Sequence, residues 1–400
     1  MRVVQSTWGT FHQFDLARQL HARGQLEALF SSFPWIKLKR FGLPREKVRS
    51  TTWRHAFFLL QQRWGLRVLE PEQLRGIVRQ HMREVTQKLP LCDAFVALSG
   101  AGLEAGRMVQ KQGGIYVCDR GSSHIRYGEH LLAEEFRRWG QPHSETLPEF
   151  VEREEVEYAE ADAISVPSEF ARRSFIEMGV DSKKLHRIPL GVDVRRFQPA
   201  GKPSPNTFRV LFVGQISFRK GIPYLLEAFR GLRHPRKELV LVGAVCPEME
   251  GFLADRSWEN VRFIGPVPQA ELPAYMSQSQ VLVLPSIEDG FGMVLAQAMA
   301  CGCPCISTTN TGGPDLFRDG KEGFIVPIRD PRAITERLEA LAANPTLRDQ
   351  MSRSALSRIQ CIGGWNEYGV SYSRLLEELI SGNQTRALRP LSVELAAQVT

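Results

Sequence analysis

The chain has 400 residues, 43% of them hydrophobic and 24% charged, with a formal net charge of +7. That size suits two ordinary domains, and no apolar run approaches the ~18 residues a membrane-spanning helix needs. The start, Met1-Arg2-Val3-Val4-Gln5-Ser6-Thr7, lacks the apolar core and cleavage site of a signal peptide, so the sequence reads as cytoplasmic.

Short apolar runs alternate with helical patterns along the first half, the mark of a parallel sheet wrapped by helices. Met1 to Ser6 reads as a strand, Thr7-Trp8-Gly9-Thr10 as the turn after it, and Phe11 to Arg23 as a helix with Phe14, Ala17, Leu20 and His21 on one face. Gly9 sits where backbone N–H groups can reach a phosphate or a hydroxyl. A basic stretch follows. Lys37, Lys39, Arg40, Arg45, Lys47, Arg49 and Arg54 are mixed with Trp35, Phe41, Trp53, Phe57, Phe58 and Trp64, a combination suited to anionic headgroups with rings at the interface. The basic excess is local, since residues 1–88 hold sixteen Lys or Arg against six Asp or Glu, whereas residues 89–190 hold twelve against seventeen. No recognition helix or ribonucleoprotein motif accompanies it, so nucleic acid is not expected as a partner.

Further strands are predicted at Ala94–Leu98, Ile115–Cys118 and Ala163–Val166, and Ser168 caps a helix that Gly179 stops. The proline-rich run from Phe197 to Pro205 reads as a linker. A second domain begins near Asn206 with strands at Arg209–Val213, Leu239–Val242, Val261–Ile264, Val281–Leu284, Cys305–Thr308 and Phe324–Val326. The predicted fold class is α/β, two Rossmann-like doubly wound domains (1–197 and 206–360) facing a central cleft, where ligands lie at the strand C-terminal ends. Residues from Gly382 onward read as loosely ordered.

Two segments of the second domain carry the chemistry. Val213-Gly214-Gln215-Ile216-Ser217-Phe218-Arg219-Lys220-Gly221 places two cations after a strand, where a pyrophosphate needs them. Ser286-Ile287-Glu288-Asp289-Gly290-Phe291-Gly292-Met293 is an acidic turn opening a helix, and it can present Asp289 beside the N–H groups of Phe291, Gly292 and Met293, free to hold an anion. Asp289 and Gln297 are eight residues apart; at ~100° per residue both can face one cleft. Seven cysteines include Cys301, Cys303 and Cys305, which lack partners at zinc-ligand spacing and read as small buried hydrophobes.

Asp289-Gly290-Phe291-Gly292, followed by Gln297-Ala298-Met299-Ala300 and Gly302, resembles the donor site of family 4 glycosyltransferases, retaining enzymes of the GT-B fold. Val166-Pro167-Ser168-Glu169-Phe170, Ile188-Pro189-Leu190-Gly191-Val192-Asp193 and Gly320-Lys321-Glu322-Gly323-Phe324 resemble other markers of that family. The resemblance implies that Asp289 and His124 lie near the transferred sugar, that Gln297 stands where a glutamate holds the ribose, and that Gln215 stands where an arginine meets the pyrophosphate, with Lys220 kept and Arg219 as substitute. Glu288, Gly290, Phe291, Gly292, Met293 and Gly9 would border the donor, with base contacts around Pro266 and Val267. A last helix, residues 361–381, would cross back to the first domain. The chain has no Asp-x-Asp pair, so no metal or other cofactor is expected and cations neutralise the leaving group.

The resulting expectation is metal-independent transfer from a nucleotide diphosphate sugar to a polysaccharide, glycolipid or lipid-linked acceptor, with retention of configuration. The basic segment would hold the protein on the inner face of a membrane. The alternatives are a non-catalytic nucleotide-sugar-binding subunit, suggested by Gln215, Asp289 and Gln297 together, and a nucleotide-sugar epimerase on the same fold.

Overall fold

The computed structural model describes residues 1–9, 12–51, 71–254 and 257–388. Two sheets form, each with every strand parallel to its neighbours. The first contains β1 (Val3–Thr7), β2 (Leu26–Ser31), β3 (Val48–Ser50), β4 (Ala94–Leu98), β5 (Ile115–Asp119), β6 (Ala163–Val166) and β7 (Leu185–Arg187), in the order β3-β2-β1-β4-β5-β6-β7. The second contains β8 (Phe208–Val213), β9 (Lys237–Val242), β10 (Val261–Gly265), β11 (Val281–Leu284), β12 (Cys305–Thr308) and β13 (Gly323–Val326), in the order β10-β9-β8-β11-β12-β13.

Every residue of β1, β4 and β5 is buried, because helices cover both faces of a parallel sheet. That burial explains the apolar runs of β4 and of Ile115–Cys118 in β5, whereas β1 buries the polar Gln5, Ser6 and Thr7 as well. β2 was not foreseen: Leu-Glu-Ala-Leu-Phe-Ser contains no β-branched residue and favours a helix locally, so its pairing with β1 through Val4↔Ala28 and Thr7↔Ser31 overrides propensity. β3 and β7 are three-residue strands at the sheet edges, too short to show a period. The first helix spans Gln13–Ala22 and buries Gln13, Phe14, Leu16, Ala17 and Leu20, with His21 left at the margin.

Ser168 begins the helix Glu169–Glu177, its hydroxyl accepting from Ala171 N at 3.1 Å and donating to the Gly290 carbonyl of the second domain at 2.5 Å. Beyond the first domain the chain is exposed from Gln198 to Asn206. The final helix, Trp365–Leu388, lies on the first domain: the Tyr372 hydroxyl is 2.8 Å from Ser165 Oγ of β6, and Ser373 donates to Gln25. The helix therefore continues past Gly382, and the loosely ordered tail expected there is corrected as far as Leu388. Residues 389–400 lie outside the described residues, as do Thr10, Phe11, Trp53, Arg54, Phe57, Phe58 and Trp64 of the motifs above.

Candidate active site

In each sheet the chain reverses its outward progression once, between β1 and β4 and between β8 and β11. The C-terminal ends of those four strands open onto one cleft of about 1180 Å³, where a ligand is expected in such sheets.

The wall from the second domain is built by two turns pressed together. Gly221, at φ +67°, follows the β8 turn, and a Cβ there would lie 2.0 Å from the carbonyl oxygen of Pro285. The close approach sets Arg219 and Lys220 beside the acidic turn, with Ile287 N donating to the Arg219 carbonyl at 2.9 Å. Lys220 Nζ then pairs with Asp289 Oδ2 at 2.5 Å, and Arg219 Nη2 with Glu288 Oε2 at 2.7 Å. The other oxygen of Asp289 accepts from Gly292 N at 2.9 Å and Phe291 N at 3.3 Å. For Phe291 and Gly292 this corrects the expectation that the N–H groups stand free for an anion: a carboxylate of the chain already occupies them, as one does at many helix N-termini. Burial opposes the charge on Asp289, but Lys220 and Arg219 outweigh it and hold the carboxyl below its ordinary range.

Glu288 turns away from the expected donor position toward the first domain. Its Oε1 accepts from Ser122 Oγ at 2.8 Å, Ser123 Oγ at 2.9 Å and Ser123 N at 3.1 Å, and the residue is 2% exposed. Burial again works against the charge, yet Arg219 and these donors bring its pKa down to about 2. Gly290 belongs to the same seam, because a Cβ there would lie 2.1 Å from the Gly121 carbonyl oxygen. Glycine is thus needed for the two domains to touch at this point.

The wall from the first domain comes from the ends of β1, β4 and β5. Trp8, His12, Ser99, Arg120, Gly121 and Ser122 face the cleft. His12 Nε2 is 2.9 Å from Asp119 Oδ2, which also accepts from Gln13 Nε2 at 2.8 Å, and Asp119 Oδ1 accepts from Ser165 at 2.7 Å. Burial disfavours the Asp119 charge, but His12, Ser165 and Gln13 keep its pKa below the ordinary value. Arg120 pairs with Glu154 at 2.6 Å. A second chamber of about 370 Å³ shares Trp8, Arg120, Ser122, Glu154 and Arg219 with the cleft and continues between apolar side chains, Val78, Ile125, Leu132 and Phe150.

Of the residues singled out from sequence, Arg219, Lys220, Asp289, Phe291, Gly292, Met293 and Gln297 line the cleft together. Gln215 does not: it is exposed at the tip of its turn, and Arg219 further along the same turn lines the cleft instead. Gly9 lies beside the cleft with its carbonyl held by Thr7 Oγ1, and Trp8 faces the cavity in its place. Pro268, Gln269 and Ala270 reach the cleft rather than Pro266 and Val267. His124 is a core residue, 3% exposed, with its ring 5.0 Å from those of Tyr158 and Phe175, and burial brings its pKa down to about 4. The cleft histidine is His12. Sequence reasoning passed over it because its partner Asp119 is 107 positions away; a histidine opening the first helix after β1 was the available signal.

Lys37, Lys39 and Arg40 are exposed, and Arg40 and Phe41 reach the rim of the cleft. Cys301, Cys303 and Cys305 are packed in the core; burial pushes the Cys301 thiol up to about 12 and the other two higher. Among the described residues no three His, Cys, Asp or Glu side chains are grouped to hold a metal ion, and no helix is long and apolar enough to cross a membrane.

Residues 194–358 match the model of the family described as glycosyl transferases group 1. A D-inositol 3-phosphate glycosyltransferase from Pseudarthrobacter chlorophenolicus is 31% identical over 205 residues, which are 47% of this chain and 49% of the relative. The chain spans about half the length of the curated relatives it matches. A sucrose-phosphate synthase from Thermosynechococcus elongatus has the same fold, with a TM-score of 0.75 at 18% identity over 96% of this chain and 100% of that one. HepE from Anabaena, solved in complex with UDP and glucose, shares it with a TM-score of 0.68 at 15% identity over 94% of this chain and 100% of that one. The match falls mainly on the second of two Rossmann-like domains, and through residues 194–358 the chain is similar to the group 1 glycosyl transferases.

Proposed function

We propose that the protein transfers a glycosyl group from a nucleoside diphosphate sugar to a hydroxyl of a glycan or lipid-linked acceptor, without a metal. The observation that carries this reading is the double ion pair, Arg219–Glu288 and Lys220–Asp289, at the mouth of the cleft. Each cation is held in place by an acid of its own chain, so an arriving diphosphate exchanges one anion for another instead of ordering two long side chains afresh. Arginine and lysine oriented in this way stabilise the charge that grows on the departing diphosphate. Gln297, on the helix Met293–Ala300, lines the same cleft, and in this reading its amide holds the ribose hydroxyls of the donor. The complex of HepE with UDP and glucose supports a nucleotide sugar as donor on this fold.

The acceptor enters from the first domain. The apolar chamber beyond Ser122 suits an acceptor with a nonpolar portion, and retention of anomeric configuration accords with the family resemblance. Exposed Lys37, Lys39 and Arg40 would rest on an anionic membrane surface of the cytoplasmic side, which brings a lipid-linked acceptor to the rim that Arg40 helps form. Charge reversal at the three positions should then weaken sedimentation with anionic vesicles, and unchanged sedimentation would remove the membrane from the proposal.

The direct test is a thermal-shift panel of UDP, GDP and their sugars, followed by mass spectrometry of any product. A donor at 100 times its Kd should add about 2.7 kcal/mol of stability. Binding without turnover in any acceptor mixture would favour a binding subunit, and an isomerised donor an epimerase.

A further inference from the structure

The helix Ile125–Arg138 belongs to the first domain by chain order, yet it meets the second domain at both ends. Ser122 and Ser123, just before its start, hold Glu288, and Glu288 holds Arg219. Near its far end the fully buried Glu135 carboxylate is divided between two partners. Its Oε2 accepts from Arg329 Nε of the second domain at 2.7 Å, and its Oε1 accepts from the indole Nε1 of Trp139 at 2.8 Å. Arg329 also pairs with Glu134 at 3.0 Å and donates to the Leu131 carbonyl at 3.3 Å, while its own backbone lies at φ +61°. A residue with a Cβ keeps that left-handed conformation where its surroundings fix it, and here the helix supplies the fixing contacts.

Trp139 carries this tie into the donor wall. Its ring lies nearly parallel to that of Phe218, 6.1 Å away with 24° between the planes, and Phe136 meets the same phenyl ring at 5.4 Å. Phe252 of the second domain adds a third ring at 5.9 Å. Phe218 is fully buried and immediately precedes Arg219 and Lys220. Gly214 and Gly221, both at positive φ, bound the loop, so its course depends on its buried side chains, Ile216 and Phe218. Ile216 is held within the second domain by backbone bonds to Ala244 and Cys246, whereas Phe218 leans on the first. The two ends of one helix thus converge on neighbouring residues, Phe218 through aromatic packing and Arg219 through Glu288. Between those ends the helix lines the apolar chamber with Ile125, Gly128 and Leu132.

We propose that Phe136 and Trp139 are positioning residues for the leaving diphosphate: from the first domain, through Phe218, they set the loop that presents Arg219 and Lys220. The inference rests on the glycosyl-transfer reading above. Rigid rings packed on Phe218 leave the loop one place to lie, and a cation displaced by about 1 Å loses much of its hold on a reacting group. The grip on the diphosphate is therefore set by both domains, and the element that sets it also borders the chamber assigned to the acceptor.

The test compares UDP with UMP, and GDP with GMP, by calorimetry on the full chain. Each monophosphate keeps the base and ribose and lacks the second phosphate. Trp139→Leu should weaken the diphosphate by about 10-fold, the loss of one charge-assisted hydrogen bond, and leave the monophosphate unchanged. Trp139→Phe keeps a ring against Phe218 and should restore most of the difference. Should Trp139→Leu fail to fold, Phe136→Leu takes its place. Hydrogen exchange reads the loop without a ligand. The amides of Lys220 and Gly221, bonded to Ser217 Oγ and the Phe218 carbonyl, should exchange faster in Trp139→Leu than in the parent, with those of β11 unchanged. Equal losses for diphosphate and monophosphate, or exchange at Lys220 and Gly221 no faster than in the parent, would overturn the positioning role. A parent that binds none of the four nucleotides would instead overturn the donor reading with these bases, while the exchange result would still show whether the helix holds the loop.

Discussion

The two walls of the cleft are made in different ways. The second domain supplies its wall from two short stretches, residues 213–221 and 284–297, in which acids and cations neutralise one another. The first domain gathers its wall from Trp8, His12, Arg120 and Ser122, spread over more than a hundred positions, with His12 held by the buried carboxylate of Asp119. One wall holds exchangeable charge, which suits an anionic ligand. The other holds a single ring against one buried carboxylate. Glu288 ties them together, as it ends on Arg219 in one domain and on Ser122 and Ser123 in the other.

The sharpest way to break this division is at Lys220. Lys220→Ala should lower kcat/KM for transfer by about 10²- to 10³-fold, the loss expected when a preorganised group facing a developing negative charge is removed. A variant with unchanged kcat/KM would take the cation out of the chemistry and reduce the second wall to structure.

At the seam between the walls, Glu288→Ala should cost about 3 kcal/mol of stability, because it strands the Ser122 and Ser123 donors and removes the partner of Arg219. Chemical denaturation read on both domains checks this, and a loss confined to one domain would show that Glu288 does not couple them. Acid should act through the same residue. Its folded pKa of about 2 lies below the ordinary 4.5, so the stabilisation is complete above pH 4.5 and is lost as pH falls toward 2.

His124 sharpens the comparison from the other side, since it belongs to neither wall. Its pKa falls from 6.5 to about 4 on folding, so the unfolded chain binds the extra proton between those values. Stability should therefore decline by about 3 kcal/mol as pH drops from 6.5 to 4. His124→Phe should flatten that decline and leave transfer intact. If the folded variant lost transfer, His124 would have to be returned to the site.

The smallest effect is expected at Gln297. Loss of one neutral amide contact to the donor ribose costs about 0.5–1.5 kcal/mol, so Gln297→Ala should raise the nucleotide Kd by up to about 10-fold. Ribose and deoxyribose nucleotides that bind the variant and the parent alike would show that Gln297 only packs.

Much of this protein follows from local rules that a sequence displays. The strands β4, β6, β11 and β12 are legible at the residues where they occur, because a strand buried on both faces reads as a short, mostly apolar run, broken here only by the small hydroxyl residues Ser165, Ser307 and Thr308. Ser168 as a cap is legible for a similar reason: its hydroxyl serves a backbone N–H three residues on. The gathering of Arg219, Lys220, Asp289 and Gln297 in one cleft also follows, since each stands at the C-terminal end of a strand near a reversal of strand order, or on the helix beyond it. Tertiary structure decided what such rules cannot reach. It chose His12 over His124 for the cleft, since which histidine meets a carboxylate and which meets Tyr158 and Phe175 depends on strands and helices distant in the chain. It turned Glu288 toward the other domain, and it filled the N–H groups of Phe291 and Gly292 with the side chain of Asp289. Strand periods are properties of neighbouring residues, whereas the partner of a charged or titratable side chain is settled only when separate elements pack.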